Sequence, residues 1–215
     1  MAAAIPAEQV KALRDKTGAG FGECKVALTE ANGDIEEATT ILRKRGLALA
    51  AKRAGRSTQQ GQIGAYIHAG GKIGVLIEVN CESDFVANTA DFKTLVKELA
   101  MQVAAADPKY VRREDVPAAE LEHERAIYRA QMENQGKPAQ VLDKIVEGKV
   151  NSHYERVALL DQPSIRDQAV KVSALIAQTV AKVGENITVT RFARFKVGEE
   201  SAAPDAGTQP VAAAK

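Results

Sequence analysis

The apolar residues of this chain change period along its length, and that change restricts the fold more than any other feature. Near the N-terminus they recur at helical spacing, with Cys24, Ala27, Leu28 and Ala31 at i, i+3, i+4 and i+7. From residue 63 they alternate, as Ile63, Ala65, Ile67 and then Ile73, Val75, Ile77, Val79, with Ala69-Gly70-Gly71-Lys72 between the runs. Alternation on both sides of a glycine-rich turn predicts a β-hairpin. Helical spacing returns in Phe92, Leu95, Val96, Leu99 and Val103, and again in Val170, Leu175, Ile176, Val180 and Val183. A last β-branched and aromatic run, Ile187 to Val197, follows the helix break Gly184-Glu185-Asn186. Helices combined with an antiparallel hairpin and a late strand predict an α+β fold.

Residues 1–45 are expected to form a three-helix domain. Pro6 suits a first helical turn, where its missing N–H has no partner to lose, and Val10 and Leu13 supply the apolar positions. Thr17-Gly18-Ala19-Gly20 breaks that helix, and a second runs from Phe21 to the Asn32-Gly33 stop. Asp34 and Glu37 form a capping box for a third, with Ile35, Ala38, Ile41 and Leu42 as its stripe. Helices this short bury a core only against one another.

Residues 46–58 read as a basic helical linker: Arg43 to Arg56 holds six basic residues and no acidic one. It is either a solvated connector or a contact surface for an acidic partner. The α+β core is expected over 59–198, antiparallel strands packed with helices. Within it, about residues 109–155 predict a protruding antiparallel helical hairpin. Leu121, Tyr128 and Met132 mark one arm, Asn134-Gln135-Gly136-Lys137-Pro138 the turn, and Leu142, Ile145, Val146 and Val150 the return. The tail, 199–215, is Ala-, Pro- and Gly-rich and is expected to be disordered.

Charge and composition exclude several function classes. Lys plus Arg number 29 against 28 Asp plus Glu, which argues against a dedicated nucleic-acid binder. Aromatics are 4% with no Trp, too few for a base-stacking platform. No apolar run approaches the roughly twenty residues that cross a bilayer, and the N-terminus lacks the pattern of a secretory signal. Cys24 and Cys81, the only cysteines, make a poor disulfide framework and predict a reduced, cytoplasmic protein. His68, His123 and His153 have no metal-ligand spacing and are expected at the surface.

Two motifs are candidates for function. Thr17-Gly18-Ala19-Gly20-Phe21 resembles a phosphate loop, but Glu23 stands where a Walker or dinucleotide pattern needs glycine. It is then a tight interhelical turn or a recognition loop, with Phe21 either tucked in or exposed. The second is Cys81-Glu82-Ser83-Asp84-Phe85-Val86-Ala87, directly after the second strand. Ser83 or Asp84 can cap the following helix. Phe85 is either a staple into the core or an exposed wedge. No nucleophile–base grouping stands near it.

Several stretches resemble the bacterial elongation factor Ts family, the nucleotide exchange factors of elongation factor Tu. They are Leu13-Arg14-Asp15-Lys16-Thr17-Gly18-Ala19-Gly20 with Ala27-Leu28-Thr29-Glu30-Ala31-Asn32-Gly33-Asp34, and Glu78-Val79-Asn80-Cys81-Glu82-Ser83-Asp84-Phe85-Val86-Ala87. Gly136-Lys137-Pro138, Glu147-Gly148-Lys149, Gly184-Glu185-Asn186-Ile187 and Arg191-Phe192 add to them, so that the resemblance covers residues 5–198. It implies a ubiquitin-associated-like head and a core that engages elongation factor Tu, with no catalytic residues, cofactor or metal. By the resemblance Ser83, Asp84, Phe85 and Val86 form the loop that displaces the partner's magnesium site, and Thr17, Gly18, Ala19, Gly20 and Phe21 form a head loop that also binds it.

Ser83 replaces the family's usual Thr and keeps the hydroxyl, whereas Phe21-Gly22 stands where methionines are common. The chain resembles a short form with one core unit, which implies a homodimer without a linking disulfide. A nucleic-acid or membrane partner is not expected. The rival functions are a ubiquitin-associated-type adaptor and a nucleic-acid chaperone acting through Arg43 to Arg56.

Overall fold

The computed structural model describes residues 5–132 and 139–199. Three helices form the head: α1 (Ala7–Thr17), α2 (Phe21–Glu30) and α3 (Ile35–Arg53). Pro6 lies one residue before α1 and caps it, its carbonyl accepting from the amides of Gln9 and Val10. Gly18, at φ +69°, closes α1 by donating its N–H to the Arg14 carbonyl, a left-handed conformation that favours glycine. Asp34 caps α3, its carboxylate accepting from the Glu37 amide at 2.8 Å. Val10, Leu13, Cys24, Ala27, Leu28, Ala31 and Ala38 are buried together as a small core of their own.

The third helix is longer than its stripe of large apolar residues predicts. It continues without a break through Gly46 to Arg53, so the stretch expected as a linker begins inside α3. Its second half is held against the core. Gly46 is buried where a Cβ would stand 3.3 Å from the Ala181 Cβ. The glycine serves a close helix crossing there, not a helix end.

The core is one antiparallel sheet in the order β1 (Gln60–Ile67), β2 (Ile73–Cys81), β3 (Ile187–Lys196). A short turn of helix, α4 (Asp84–Ala87), and then α5 (Ala90–Ala106) follow β2. The helix α8 (Val172–Val183) precedes β3. Helices α5 and α8 bury one face of the sheet, with Phe92, Leu95, Leu99, Val103 and Val180 against Val75, Ile77, Val79 and Val189. Both cysteines are free and buried. No described helix is long and apolar enough to cross a membrane. Helices on a three-stranded antiparallel sheet make the α+β architecture that the changing period predicts.

The alternating apolar residues of the first strand lie on the sheet face away from the helices. Ile63 and Ile67 are 69% and 67% exposed, while Gly64 and Tyr66 face the helices. The pairing explains it: Gly64 lies opposite Ile77 and Tyr66 opposite Val75, and directly opposed residues share a face. A Cβ at Gly64 would come 2.3 Å from Val96 Cγ1. Helix α5 therefore sits too close to β1 for an isoleucine to point inward there. The apolar residues of β1 go to the outer face, beside Leu76 and Phe195, both exposed.

Beyond α5 stand α6 (Ala118–Met132) and α7 (Ala139–Val157), the arms of the expected hairpin. Its expected turn, residues 134–138, lies outside the described residues, as does nearly all of the tail. His153 on α7 is not at the surface. It is 4% exposed, with Nε2 3.1 Å from Glu120 Oε1 and Nδ1 2.9 Å from an Arg156 nitrogen. A polar network at the hairpin's base buries it: the Tyr110 hydroxyl donates to the same Glu120 at 2.7 Å. The tyrosine is pushed up to about 12 by burial, with the neighbouring Glu120 carboxylate adding to it. Among the described residues no cluster could hold a metal ion.

The close approach at Gly64 gives a stability test. Gly64→Ala should destabilise the fold by about 1–3 kcal/mol, the usual cost of overpacking. Adding Val96→Ala should recover part of that loss in a denaturant double-mutant cycle. Independent, additive losses would place the contact elsewhere.

Candidate functional site

Strand β2 delivers the chain into an exposed turn whose ends are anchored. Cys81 closes the strand, paired with Ile187 of β3, and its thiol donates to the Ser83 carbonyl at 3.1 Å. Burial pushes that thiol up, and the Glu185 carboxylate adds to it. Ser83 is the cap: its backbone is extended and its Oγ accepts the Val86 N–H at 3.3 Å. Of the two candidate caps, the hydroxyl holds the helix end and Asp84 stays free to face solvent.

The four turn residues divide by exposure. Val86 is buried and packs into the core with Ala87, whereas Asp84 is exposed and Phe85 is 82% exposed. Phe85 is therefore not a staple. The buried aromatic is Phe92, at the start of α5, where Thr89 caps the helix by accepting the Phe92 N–H. An unburied phenylalanine gains nothing for the fold and leaves apolar surface available to another molecule.

A second set of bonds braces the turn from the α8–β3 junction. Glu185 accepts the Ser83 N–H at 2.9 Å and the Ser83 hydroxyl at 2.6 Å. Asn186 donates its N–H to Glu82 at 2.7 Å, and its side chain donates to the Arg56 carbonyl at 2.9 Å. The Asn186 amide holds the Glu82 carboxyl below the usual range, with help from Arg56 and Arg53. Glu185 and Asn186 read in the sequence as a helix stop, and no local pattern puts them beside Ser83 across about a hundred residues.

The head loop is also exposed in part. The Thr17 hydroxyl donates to the Leu13 carbonyl and accepts the Ala19 N–H. Gly20 donates its N–H to Glu23, and Phe21 is 50% exposed rather than tucked in. The Lys182 side chain lies across Gly18: a Cβ there would come 2.5 Å from Lys182 Cε. Lys182 belongs to the last turn of α8, and Glu185 follows it by three residues. One short stretch thus touches the Gly18 loop and grips the Ser83 turn. The two loops are not brought into contact with each other.

The chemistry these residues offer is recognition: apolar side chains and a carboxylate held outward on braced turns. Similarity to known proteins puts the chain among the translation elongation factors. Residues 7–199 match the family model described as Elongation factor TS. The elongation factor Ts of Koribacter versatilis (strain Ellin345) is 60% identical over 195 residues, covering 91% of this chain and 89% of that one. That of Thermoanaerobacter sp. (strain X514) is 58% identical, covering 91% and 96%. That of Solibacter usitatus (strain Ellin6076) is 52% identical over 211 residues, covering 98% and 99%. The chain belongs to the elongation factor Ts family, and the match spans most of the length of each of these relatives.

The exposure of Phe85 predicts a dissociation between fold and surface. Phe85→Ala should change stability by less than about 0.5 kcal/mol, as surface substitutions do. Phe92→Ala should cost about 3–5 kcal/mol. Paired thermal melts of the two variants check this, and a comparable loss in both would return Phe85 to the core.

Proposed function

We propose that this protein is the nucleotide exchange factor of elongation factor Tu: it binds the GDP-bound form and speeds GDP release, so that GTP can reload. The reading rests on family membership and on one structural observation, the outward Phe85 and Asp84 on a turn anchored at both ends.

A GTPase holds its nucleotide through phosphate-cradling backbone amides and a bridging magnesium ion. An exchange factor has no bond to make or break. It must bind the nucleotide-free state better than the GDP state, because only differential affinity shifts an equilibrium. Phe85 inserts apolar bulk beside the magnesium site, and Asp84 accompanies it without serving as a ligand to the metal. Ser83 and Val86 hold the turn's ends. The head loop, Thr17 to Phe21, grips the nucleotide-binding domain while the core grips another domain.

In this reading the head (1–45), the basic stretch (46–58) and the core (59–198) are successive working parts of a cytoplasmic protein, without cofactor, metal or catalytic residue of its own. The ion pairing of the basic stretch favours the exchange reading over a nucleic-acid chaperone. Of the six cations from Arg43 to Arg56, Arg45 pairs with Glu30, and Arg53 and Arg56 with Glu82, so three are already engaged.

The working form is a homodimer joined through the outer face of the sheet. Among the described residues helices cover only one face, and the other carries Ile63, Ile67, Leu76 and Phe195 exposed. Leu76 lies mid-row, opposite Ala65 on β1 and Ala193 on β3. A two-fold axis through such a row makes a self-complementary contact.

Two measurements test these readings. Adding the protein to elongation factor Tu loaded with fluorescent GDP should accelerate release by orders of magnitude. No acceleration, with binding to a ubiquitin-like protein or steeply salt-dependent binding to RNA instead, would favour one of the rivals. In light scattering the protein should run at twice its chain mass and Leu76→Glu at the chain mass. A wild-type monomer with full activity would remove the dimer.

A further inference from the structure

The junction between α8 and β3 does more than stop a helix. The Glu185 carboxylate takes both donors of Ser83, the N–H on Oε2 and the hydroxyl on Oε1. A serine hydroxyl has one proton. Once it points at Glu185, a lone pair is left to accept the Val86 N–H, as the 3.3 Å contact records. The Ser83 carbonyl is occupied as well, by the Cys81 thiol. All the polar groups of residue 83 are thus engaged, and two of those bonds are to an ionised partner, about twice as strong as neutral ones.

The result is a turn with little freedom. Ser83 is fixed at one end and buried Val86 at the other, with Asp84 and Phe85 between them facing solvent. Among the described residues no side chain hydrogen-bonds to the Asp84 carboxylate, so only the backbone geometry aims this pair. The orientation of Phe85 therefore depends on Ser83, and that of Ser83 on Glu185. Lys182, a turn earlier, lies across Gly18 of the head loop. The same stretch of chain thereby touches both the Phe85 turn and the head loop.

We infer that Glu185 is the positioning residue of the Ser83–Val86 turn: its carboxylate orders the turn before the partner arrives, so that Phe85 and Asp84 meet elongation factor Tu already aimed. This rests on the exchange-factor reading. A turn ordered in the free protein spends less of its binding energy on its own ordering, and more remains for the state without nucleotide.

The test measures stimulated GDP release against factor concentration for the wild type, Glu185→Gln and Glu185→Ala, with hydrogen exchange at the Ser83 and Val86 amides in the free proteins. A general loss of folded protein would raise the half-saturating concentration and leave the maximal rate alone, because added protein makes up for it. A misaimed turn lowers the maximal rate itself. Glu185→Ala should lower that maximum about tenfold, the loss expected for a hydrogen bond to a charged group. Its two amides should exchange faster, with the melting temperature lowered by several degrees and the protein still folded at the assay temperature. Glu185→Gln, which keeps one acceptor, should fall between. Should the alanine variant fold poorly, the glutamine variant carries the same comparison.

An unchanged maximal rate in both variants, whatever the amides do, would overturn the positioning role, as would a fallen rate with unchanged amide exchange. If the wild type itself fails to accelerate release, the exchange-factor reading fails instead. The amide arm then still decides whether Glu185 orders the turn: unchanged exchange in the variants would overturn that as well.

Discussion

Strand β2 is the constraint on which the rest depends. Among the described residues it is the only strand paired on both sides, with β1 along one edge and β3 along the other. Its inward row, Val75, Ile77, Val79 and Cys81, is buried throughout and supplies the surface on which α5 and α8 pack. A strand held on both edges and one face cannot shift register without turning that whole row toward water. Its last residue is therefore a fixed point, and the exposed turn begins two residues beyond it. The chain presents Phe85 just beyond a strand held on both edges.

Neighbouring aromatic residues show how that arrangement separates folding from recognition. Phe92 is fully buried at the start of α5, and Phe85, one short turn earlier, is largely in water. Both follow a hydroxyl cap, Thr89 for the one and Ser83 for the other. Position in the turn decides between them: residue 85 stands two after its cap on the solvent side, and residue 92 three after its cap, over the sheet. The outer face of the sheet repeats the pattern on a larger scale, with Ile63, Ile67, Leu76 and Phe195 spent on surface rather than core.

Local chemistry was legible in the sequence where it is self-contained. The glycine that closes α1, the aspartate that caps α3 and the alternation of β2 each follow from a few adjacent residues. What was not legible depends on contacts between distant segments. Ile63 and Ile67 alternate as a core row should, and only the proximity of α5 to Gly64 turns them outward. Gly46 stands at the start of the stretch that reads as a linker, and only Ala181 against it reveals a helix crossing. His153 reads as a surface histidine until Glu120 and Arg156 close around it. The Ser83 turn could be picked out as a motif, by resemblance, but the two residues that brace it lie on the far side of the chain.

The central claim is that Phe85, held outward by a braced turn, carries the exchange activity without contributing to the fold. The most direct measurement is the maximal rate of GDP release from elongation factor Tu at saturating Phe85→Ala protein, taken beside the same protein's melting temperature. The account predicts a rate at least about tenfold below the wild type, a barrier difference of roughly 1.4 kcal/mol, with the melting temperature unmoved. A maximal rate equal to that of the wild type would contradict it.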